Sequence, residues 1–351
     1  MERLVRSCYK QGGYVFAKKA GGRTHGAGND RIARLASNEN PEGPSPAALN
    51  AAQEALRTVN RYPDERVDVL VSALKAHYGD YTFLAGVGMD GVIETLMRTL
   101  VDPGDTVVIS TPTFSFYGLA AQAQGAKVIS VPRRADFSVD TDALIKAGKD
   151  AKIVVLCSPN NPTGNATSAD DVKKVLEGIN GLLFLDNAYV EFSGIDYLPL
   201  MRKYGNLVIG RTFSKVHSLA GLRIGYAFSP AWLLPYYARA GTPFTVNSVS
   251  SAAAAAALAD TGHAARYISQ VTAWRKRFAT ELKYPVLPSD ANFVMVDVAP
   301  HTGDEVVENL AVKGVLVRSC RSFTGLSDHY IRVSVGEDWE NELFIRELNA
   351  L

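Results

Sequence analysis

A lysine in the second half of the chain has neighbours whose residue types could bind a phosphorylated carbonyl compound. Lys215 closely follows Thr212 and Ser214, and Arg223 comes eight residues later. An amine attacks an aldehyde only in its neutral form, so a lysine with this role needs a partly desolvated pocket. Hydroxyl and guanidinium groups beside it are good donors to a phosphate. The segment therefore predicts a lysine that forms a Schiff base with a phosphorylated aldehyde, and a solvated loop lysine is the alternative.

An aspartate ends an apolar run upstream of that lysine. The run Leu182–Leu185 is followed by Asp186, and Tyr189 comes three residues further on. Ligands of open α/β sheets bind beyond the carboxyl ends of the strands. A carboxylate there can keep a ring nitrogen protonated, and the resulting cation withdraws electrons from a substrate carbanion. The alternative is an aspartate that caps the turn after the strand.

Two turns have residue types that suit the same ligand. The turn Ser158–Gly164 contains Asn161, whose amide could donate a hydrogen bond to a phenolic oxygen, although a plain turn is the alternative. The segment Gly86–Ile93 is typical of a glycine-containing turn that enters a helix. The free backbone N–H groups at a helix N-terminus bind phosphate readily, so this turn is a second candidate for the phosphate end of the ligand.

Short apolar runs alternate with helical patterns between about residues 88 and 228. Most of the runs are apolar throughout, which is typical of strands buried on both faces of a parallel sheet. Segments 91–101, 115–124 and 168–177 suit crossover helices, and Ser168 suits the N-cap of the last one. The alternation predicts a doubly wound α/β fold. The predicted strands are 106–110, 127–131, 153–157, 182–185, 207–209 and 224–228.

The two ends of the chain differ from this central part. Glycines break any helical period in residues 1 to about 36, which predicts an irregular arm. Helices are predicted over about 46–58, with Ser45 as N-cap, and over about 65–78. An alanine-rich helix and an amphipathic helix follow residue 249, and a smaller α+β unit comes last. Its predicted elements are strands at 292–298, 314–317 and 330–335 and a helix at 303–313.

Composition argues against several classes of protein. Lysines and arginines number 37 and acidic residues 36, so we expect neither a nucleic-acid nor a membrane partner. We find no apolar run of transmembrane length and no signal-peptide pattern, and we expect a cytoplasmic protein. The histidines lack metal-ligand spacing, so no metal site is expected. The three cysteines are too far apart to suggest a disulfide framework, and they are Cys8, Cys157 and Cys320.

Taken in order, these motifs resemble the fold-type I aminotransferases that depend on pyridoxal phosphate, and most closely the histidinol-phosphate aminotransferase family. The resemblance covers about Leu35 to Gly336. It rests on the motifs ASNENP (36–41), RYPD (61–64), SPNNPTG (158–164), DNAYVE (186–191), the Lys215 segment and YIRVSVG (330–336). It implies a mostly parallel seven-stranded sheet between helices, a smaller α+β domain and an obligate homodimer. The implied division is an arm with part of the small domain (1–37), a large cofactor-binding domain (38–260) and a small C-terminal domain (261–351).

The resemblance also implies a role for each residue around the cofactor, pyridoxal 5′-phosphate. Lys215 would form the Schiff base and move the proton in the 1,3-shift, and Asp186 would pair with the pyridine nitrogen. Asn161 and Tyr189 would bind the ring oxygen, and Phe114 would stack on the ring. The groups implied at the phosphate are Thr212, Ser214, Arg223, the backbone of Met89 and Asp90, and Tyr62 of the partner subunit.

For the substrates, the resemblance implies that Arg332 binds the carboxylate of glutamate or 2-oxoglutarate. Arg318, together with Tyr14, would bind the phosphate of the amino donor, and Asn161 would also face the substrate. A packed aromatic is the alternative for Tyr14, and a solvated surface position is the alternative for either arginine. The implied reaction is ping-pong amino transfer from L-histidinol phosphate to 2-oxoglutarate, in histidine biosynthesis.

Three other functions remain open. An aromatic amino-acid aminotransferase and a threonine-phosphate decarboxylase would use the same chemistry, and Cys320–Leu326 resembles a segment of the decarboxylase family. A regulator that keeps the fold without catalysis is the third alternative, and the complete catalytic set argues against it. The chain also departs from the family pattern, because less usual residues stand at Val87, Met89, Gly91, Asn187 and His217.

Overall fold

The computed structural model describes residues 2–10, 13–16 and 31–351. Across this part of the chain a seven-stranded sheet lies between layers of helices, and strand β1 (Ala33–Arg34) lies apart from it. The strands of the sheet are β2 (Thr82–Val87), β3 (Thr106–Thr111), β4 (Lys127–Pro132), β5 (Ile153–Cys157), β6 (Leu182–Asp186), β7 (Leu207–Thr212) and β8 (Ile224–Ser229). Their order is β2-β8-β7-β6-β5-β3-β4, and β8 alone runs antiparallel to its neighbours. The prediction of a mostly parallel seven-stranded sheet is confirmed.

The central strands are buried along their whole length because helices cover both of their faces. Every residue of β5, β6 and β7 is buried. Strand β2 is absent from the apolar runs identified in the sequence. It is an edge strand that pairs only with β8, and its last residues, Gly86 and Val87, were assigned in the sequence to a glycine-containing turn instead. The run pattern therefore finds six of the seven strands.

The helices of this part begin and end close to their predicted positions. Ser45 and Ser168 cap their helices as predicted, because each side-chain oxygen accepts a hydrogen bond from a backbone N–H three residues on. The predicted second helix begins three residues later than expected, after Val67. The helices are α1 (Pro46–Ala55), α2 (Asp68–Tyr78), α3 (Gly88–Leu100), α4 (Phe116–Ala123), α5 (Thr141–Gly148), α6 (Ala169–Gly178), α7 (Leu198–Met201), α8 (Leu234–Ala240) and α9 (Ser248–Ala259).

The last third forms a second hydrophobic core around a three-stranded antiparallel sheet. The strands lie in the order β11 (Arg318–Ser319), β12 (Tyr330–Ser334) and β9 (Phe293–Asp297). Strand β1 pairs in parallel with β10, so part of the predicted irregular arm is instead a short strand that joins this second core. Residues 17–30 of the arm lie outside the described residues, and the predicted domain bounds stay a prediction. The elements are α10 (Thr261–Glu281), β9 (Phe293–Asp297), α11 (Gly303–Val312), β10 (Val315–Leu316), β11 (Arg318–Ser319), β12 (Tyr330–Ser334) and α12 (Asp338–Asn349).

The described residues contain neither a candidate membrane-spanning helix nor a candidate metal-binding group. None of the helices there is long and apolar enough to cross a membrane. Within the same ranges, no group of three or more His, Cys, Asp and Glu side chains is arranged to hold a metal ion.

Candidate active site

The candidate site lies at the carboxyl edge of the central sheet. Cys157 at the end of β5 pairs in register with Asp186 at the end of β6, and Asp186 pairs with Gly210 of β7. Parallel strands present their carboxyl ends at one edge, so the segments that follow them meet there. They line a cavity of about 410 Å³. The predicted site residues in its wall are Tyr14, Met89, Asp90, Phe114, Asn161, Asp186, Tyr189, Thr212, Ser214, Lys215, Arg223, Arg318 and Arg332.

Tyr62 is the one predicted residue that does not line this cavity. Its side chain is 83% exposed, and its ring stacks on Phe244 with 4.8 Å between the ring centroids. The sequence assigns Tyr62 to the cavity of the partner subunit. A surface position within its own chain is compatible with that assignment, which stays a prediction.

Lys215 combines an amine with surroundings that favour its neutral form. Burial, followed by the nearby positive charge of Arg332, lowers the pKa of Lys215 to about 8. Its Nζ donates a hydrogen bond to the backbone carbonyl of Ser37 at 3.2 Å and lies 5.6 Å from the ring centroid of Tyr189. A larger fraction of this amine is neutral at physiological pH than of a solvated lysine, as attack on an aldehyde requires.

Asp186 is a buried carboxylate with two hydrogen-bond donors. Its Oδ2 accepts from the Tyr117 hydroxyl at 2.6 Å, and its Oδ1 accepts from the backbone N–H of Ala188 at 2.9 Å. Burial raises the pKa of Asp186 to about 6, and the hydrogen bond from Tyr117 opposes this rise. Such a carboxylate has unusually high proton affinity, and it is suited to pair with a protonated ring nitrogen.

The other end of the cavity is built to hold an anion. Arg223 donates to the Asp90 carboxylate at 2.8 Å, beside the N-terminus of α3. A Cβ atom on Gly88 would lie 2.6 Å from Nη2 of Arg223, so only glycine allows this close approach. On the other side, the Thr212 hydroxyl donates to Ser214 Oγ at 3.0 Å, and both residues are buried.

These two ends fit pyridoxal phosphate. The phosphate monoester needs the guanidinium, hydroxyl and backbone N–H donors found near Arg223. The basic ring nitrogen needs a carboxylate such as Asp186, and the aldehyde needs an amine such as Lys215, and both residues line the same cavity as Arg223. Phe114, whose ring centroid lies 5.5 Å from that of Tyr117, supplies an aromatic wall.

Two buried arginines face the open side of the cavity. Arg318 of β11 and Arg332 of β12 lie opposite each other in register, and their side chains are 8% and 5% exposed. Arg332 donates to Asn161 Oδ1 and to the Ala36 carbonyl, while Arg318 donates to the Val15 carbonyl at 2.7 Å. Tyr14 packs beside them, with its ring centroid 5.7 Å from that of Phe114. The arrangement suits a substrate with anionic groups.

Two residues of the site were missed in the sequence. Tyr117 bonds to Asp186, and Asn38 Nδ2 donates to the Tyr189 hydroxyl at 3.0 Å. Both bonds join residues far apart in the chain, and no local pattern marks them. Asn38 belongs to the ASNENP motif and has a left-handed backbone, with φ of 54°. This unusual conformation marks Asn38 as a residue of interest, but it is visible only in the structure.

Three of the five departures from the family pattern are neutral side chains at or near the site. Asn187 Nδ2 donates to the Ser158 carbonyl at 2.7 Å and so links the segments that follow β5 and β6. The Met89 side chain is buried in the hydrophobic cluster under α3. Burial lowers the pKa of His217 to about 4, so this ring is neutral at physiological pH. None of the three adds a charge to the site.

A protein with this sheet and this arrangement of lysine, aspartate and anion-binding groups is a pyridoxal-phosphate-dependent aminotransferase. The chain belongs to the family of class I and II aminotransferases, whose model matches residues 30–348. This confirms the resemblance and the cofactor predicted from the motifs. It also indicates an enzyme rather than a regulator without catalysis.

Individual relatives agree with the family. The chain is 64% identical to a protein of Methanoculleus marisnigri and 56% identical to one of Methanosphaerula palustris, over the full length of each. Both are named histidinol-phosphate aminotransferase. A solved structure of histidinol-phosphate aminotransferase from Sinorhizobium meliloti in complex with pyridoxal-5′-phosphate is also similar. It has a TM-score of 0.83 and 29% identity, and the match covers 91% of this chain and 90% of that one.

Proposed function

We propose that this aminotransferase moves the amino group of L-histidinol phosphate to 2-oxoglutarate, forming imidazole-acetol phosphate and L-glutamate. The observation that carries the proposal is the pair of buried arginines, Arg318 and Arg332, at the open side of the Lys215 cavity. The amino donor carries a phosphate and the acceptor carries two carboxylates, so both substrates need positively charged side chains in the cavity. The names of the two relatives described above support the same substrate.

The two buried arginines bind different anionic groups in this proposal. Arg332, which lines the cavity, binds a carboxylate of glutamate or 2-oxoglutarate. Arg318 binds the phosphate of the amino donor, with Tyr14 beside it. Asn161 faces the same space and is held by Arg332. The two substrates then bind alternately in one cavity, as ping-pong transfer requires.

The proposed cofactor contacts divide between binding and proton transfer. When bound, pyridoxal phosphate supplies the electron sink that stabilises a substrate carbanion. Asp186 holds a proton at the ring nitrogen, and Tyr189 and Asn161 contact the ring oxygen. Lys215 Nζ would act as the base and the acid that move the proton in the 1,3-shift. Phe114 covers one face of the ring.

The proposed phosphate contacts come from three segments of this chain. The Thr212 and Ser214 hydroxyls and the Arg223 guanidinium face the phosphate, and the Met89 and Asp90 backbone N–H groups at the start of α3 complete its contacts. Asp90 keeps Arg223 in place through their ion pair. The exposed Tyr62 reaches the phosphate of a second subunit, so the active form is a homodimer. The cytoplasmic location stays a prediction of the sequence.

The proposal is tested by comparing amino donors. The purified protein with its cofactor is assayed for glutamate formation from 2-oxoglutarate with L-histidinol phosphate, L-phenylalanine or L-threonine phosphate, and for carbon dioxide release from the last. We expect L-histidinol phosphate to give the highest kcat/KM and no carbon dioxide to form. A higher kcat/KM with phenylalanine would instead favour an aromatic aminotransferase. Carbon dioxide release without dependence on 2-oxoglutarate would favour the decarboxylase.

A further inference from the structure

A tyrosine that no motif identifies lies directly behind the carboxylate at the end of β6. Tyr117, on α4, is fully buried, and its hydroxyl donates to Asp186 Oδ2 at 2.6 Å. Burial and the adjacent Asp186 charge raise the pKa of Tyr117 well above its usual value, so the phenol stays protonated. Tyr117 is therefore a permanent neutral donor to Asp186.

The Tyr117 hydrogen bond also fixes the orientation of the Asp186 carboxylate. Oδ1 already accepts from the Ala188 N–H and Oδ2 from Tyr117, so the carboxylate cannot rotate without losing a bond. A hydrogen bond to the ionised form of a buried carboxylate opposes the effect of desolvation. The bond thus orients the carboxylate and limits its proton affinity.

We propose that Tyr117 is a positioning residue that sets how the proton is shared between Asp186 and the ring nitrogen of the cofactor. This inference rests on the proposed function. Without the Tyr117 donor, Asp186 competes more strongly for that proton, and the ring carries less positive charge. The positive charge on the ring lowers the pKa of the linkage between Lys215 and the cofactor. Loss of this charge therefore raises the pKa of the linkage.

Other groups around Asp186 do not provide this donor. The Cys157 thiol and the Tyr189 phenol are neutral because burial raises the pKa of each, that of Cys157 to about 12. Arg133 lies behind Cys157 and donates to its carbonyl at 3.3 Å rather than to Asp186. The charged groups that face Asp186 from the cavity are Asp90 and Lys215. Removal of the Tyr117 hydroxyl also removes its contact with the Cys157 thiol, but this thiol stays neutral because burial raises its pKa.

The test uses the visible absorbance of the whole protein with its cofactor, titrated with pH. Tyr117→Phe keeps the ring and removes the donor. In Tyr117→Phe we expect the midpoint of the absorbance change to rise by about one pH unit. We also expect the cofactor to bind about tenfold more weakly, as for loss of one hydrogen bond to a charged group. Tyr117→3-fluorotyrosine, a stronger donor, is expected to move the midpoint downward.

Tyr237→Phe is the matched control. Tyr237 belongs to the same hydrophobic cluster as Tyr117, and its buried hydroxyl donates to the Ala85 carbonyl at 3.1 Å and not to Asp186. We expect the wild-type midpoint in this variant. Equal shifts in Tyr237→Phe and Tyr117→Phe, or no shift in Tyr117→Phe, would overturn the inference alone. A wild-type protein without any visible band would overturn the proposed function, and this inference with it.

Discussion

Arg318 and Arg332 lie directly opposite each other on neighbouring antiparallel strands, and both are buried. Two guanidinium groups so close repel each other, and each of them also loses hydration. Burial lowers the pKa of Arg332, with the positive charge of Arg318 adding to this effect. Neither forms an ion pair with a carboxylate among the described residues. An anionic substrate removes this repulsion, which gives the site affinity for phosphate and carboxylate groups.

Arg318→Gln is expected to weaken binding of the phosphorylated donor. Loss of hydrogen bonds from one guanidinium to a phosphate should raise KM for L-histidinol phosphate by about tenfold to a hundredfold. The KM for 2-oxoglutarate should change less. Steady-state kinetics with each substrate varied in turn measures both effects.

Arg321→Gln is the control for this change. Arg321 is a nearby arginine whose side chain is 71% exposed and paired with Asp304. We expect both KM values to stay at the wild-type level in this variant. An equal rise of KM in both variants would show a general effect of surface charge and would contradict the role of Arg318.

Gly88→Ala should weaken cofactor binding because its Cβ would occupy the space of the Arg223 guanidinium, 2.6 Å away. We expect about a tenfold higher dissociation constant for pyridoxal phosphate, from disturbed contacts of one charged donor. Fluorescence titration of the cofactor-free protein measures it. Gly104→Ala is the control, since Gly104 also has a positive φ, at 93°, but open space around its Cβ position. Similar weakening in both variants would mean that backbone strain, and not Arg223, is responsible.

The rate at which cofactor-free protein takes up pyridoxal phosphate should depend on the protonation of Lys215. The pKa of this lysine is lowered to about 8, and only the neutral amine reacts. The rate should therefore rise with pH, with a midpoint near 8, and level off above it. Stopped-flow absorbance follows the reaction. A midpoint near the pKa of a solvated lysine, about 10.4, would contradict the desolvated environment of Lys215.

Complementation between subunits tests the placement of Tyr62. Lys215→Ala and Tyr62→Ala each damage one part of a composite site, so each homodimer should be poorly active. If Tyr62 reaches the partner subunit, a mixed dimer has one site with both changes and one intact site. After unfolding and refolding an equal mixture, about a quarter of all sites should be intact. Activity that stays at the mean of the two variants would show that Tyr62 does not act across subunits.

Most of the candidate site residues line one cavity because they follow strand ends. Asp186, Asn161 and Lys215 each come shortly after a buried apolar run, and strands of a parallel sheet end at one edge. Strand β2 was missed because its last residues, Gly86 and Val87, were assigned to a glycine-containing turn. Tyr117 was missed because its bond to Asp186 spans 69 residues and depends on how α4 packs against β6. Such contacts come from tertiary packing, which local patterns do not contain.

The most direct test of the account is the visible spectrum of the purified protein with pyridoxal phosphate. We expect an absorbance band from the link to Lys215 that is absent in Lys215→Ala. Adding L-histidinol phosphate should remove this band and raise that of the amine form of the cofactor, and 2-oxoglutarate should restore it. A band that responds to phenylalanine or threonine phosphate but not to L-histidinol phosphate would contradict the proposed substrate. No band in the wild-type protein would contradict the central role of Lys215.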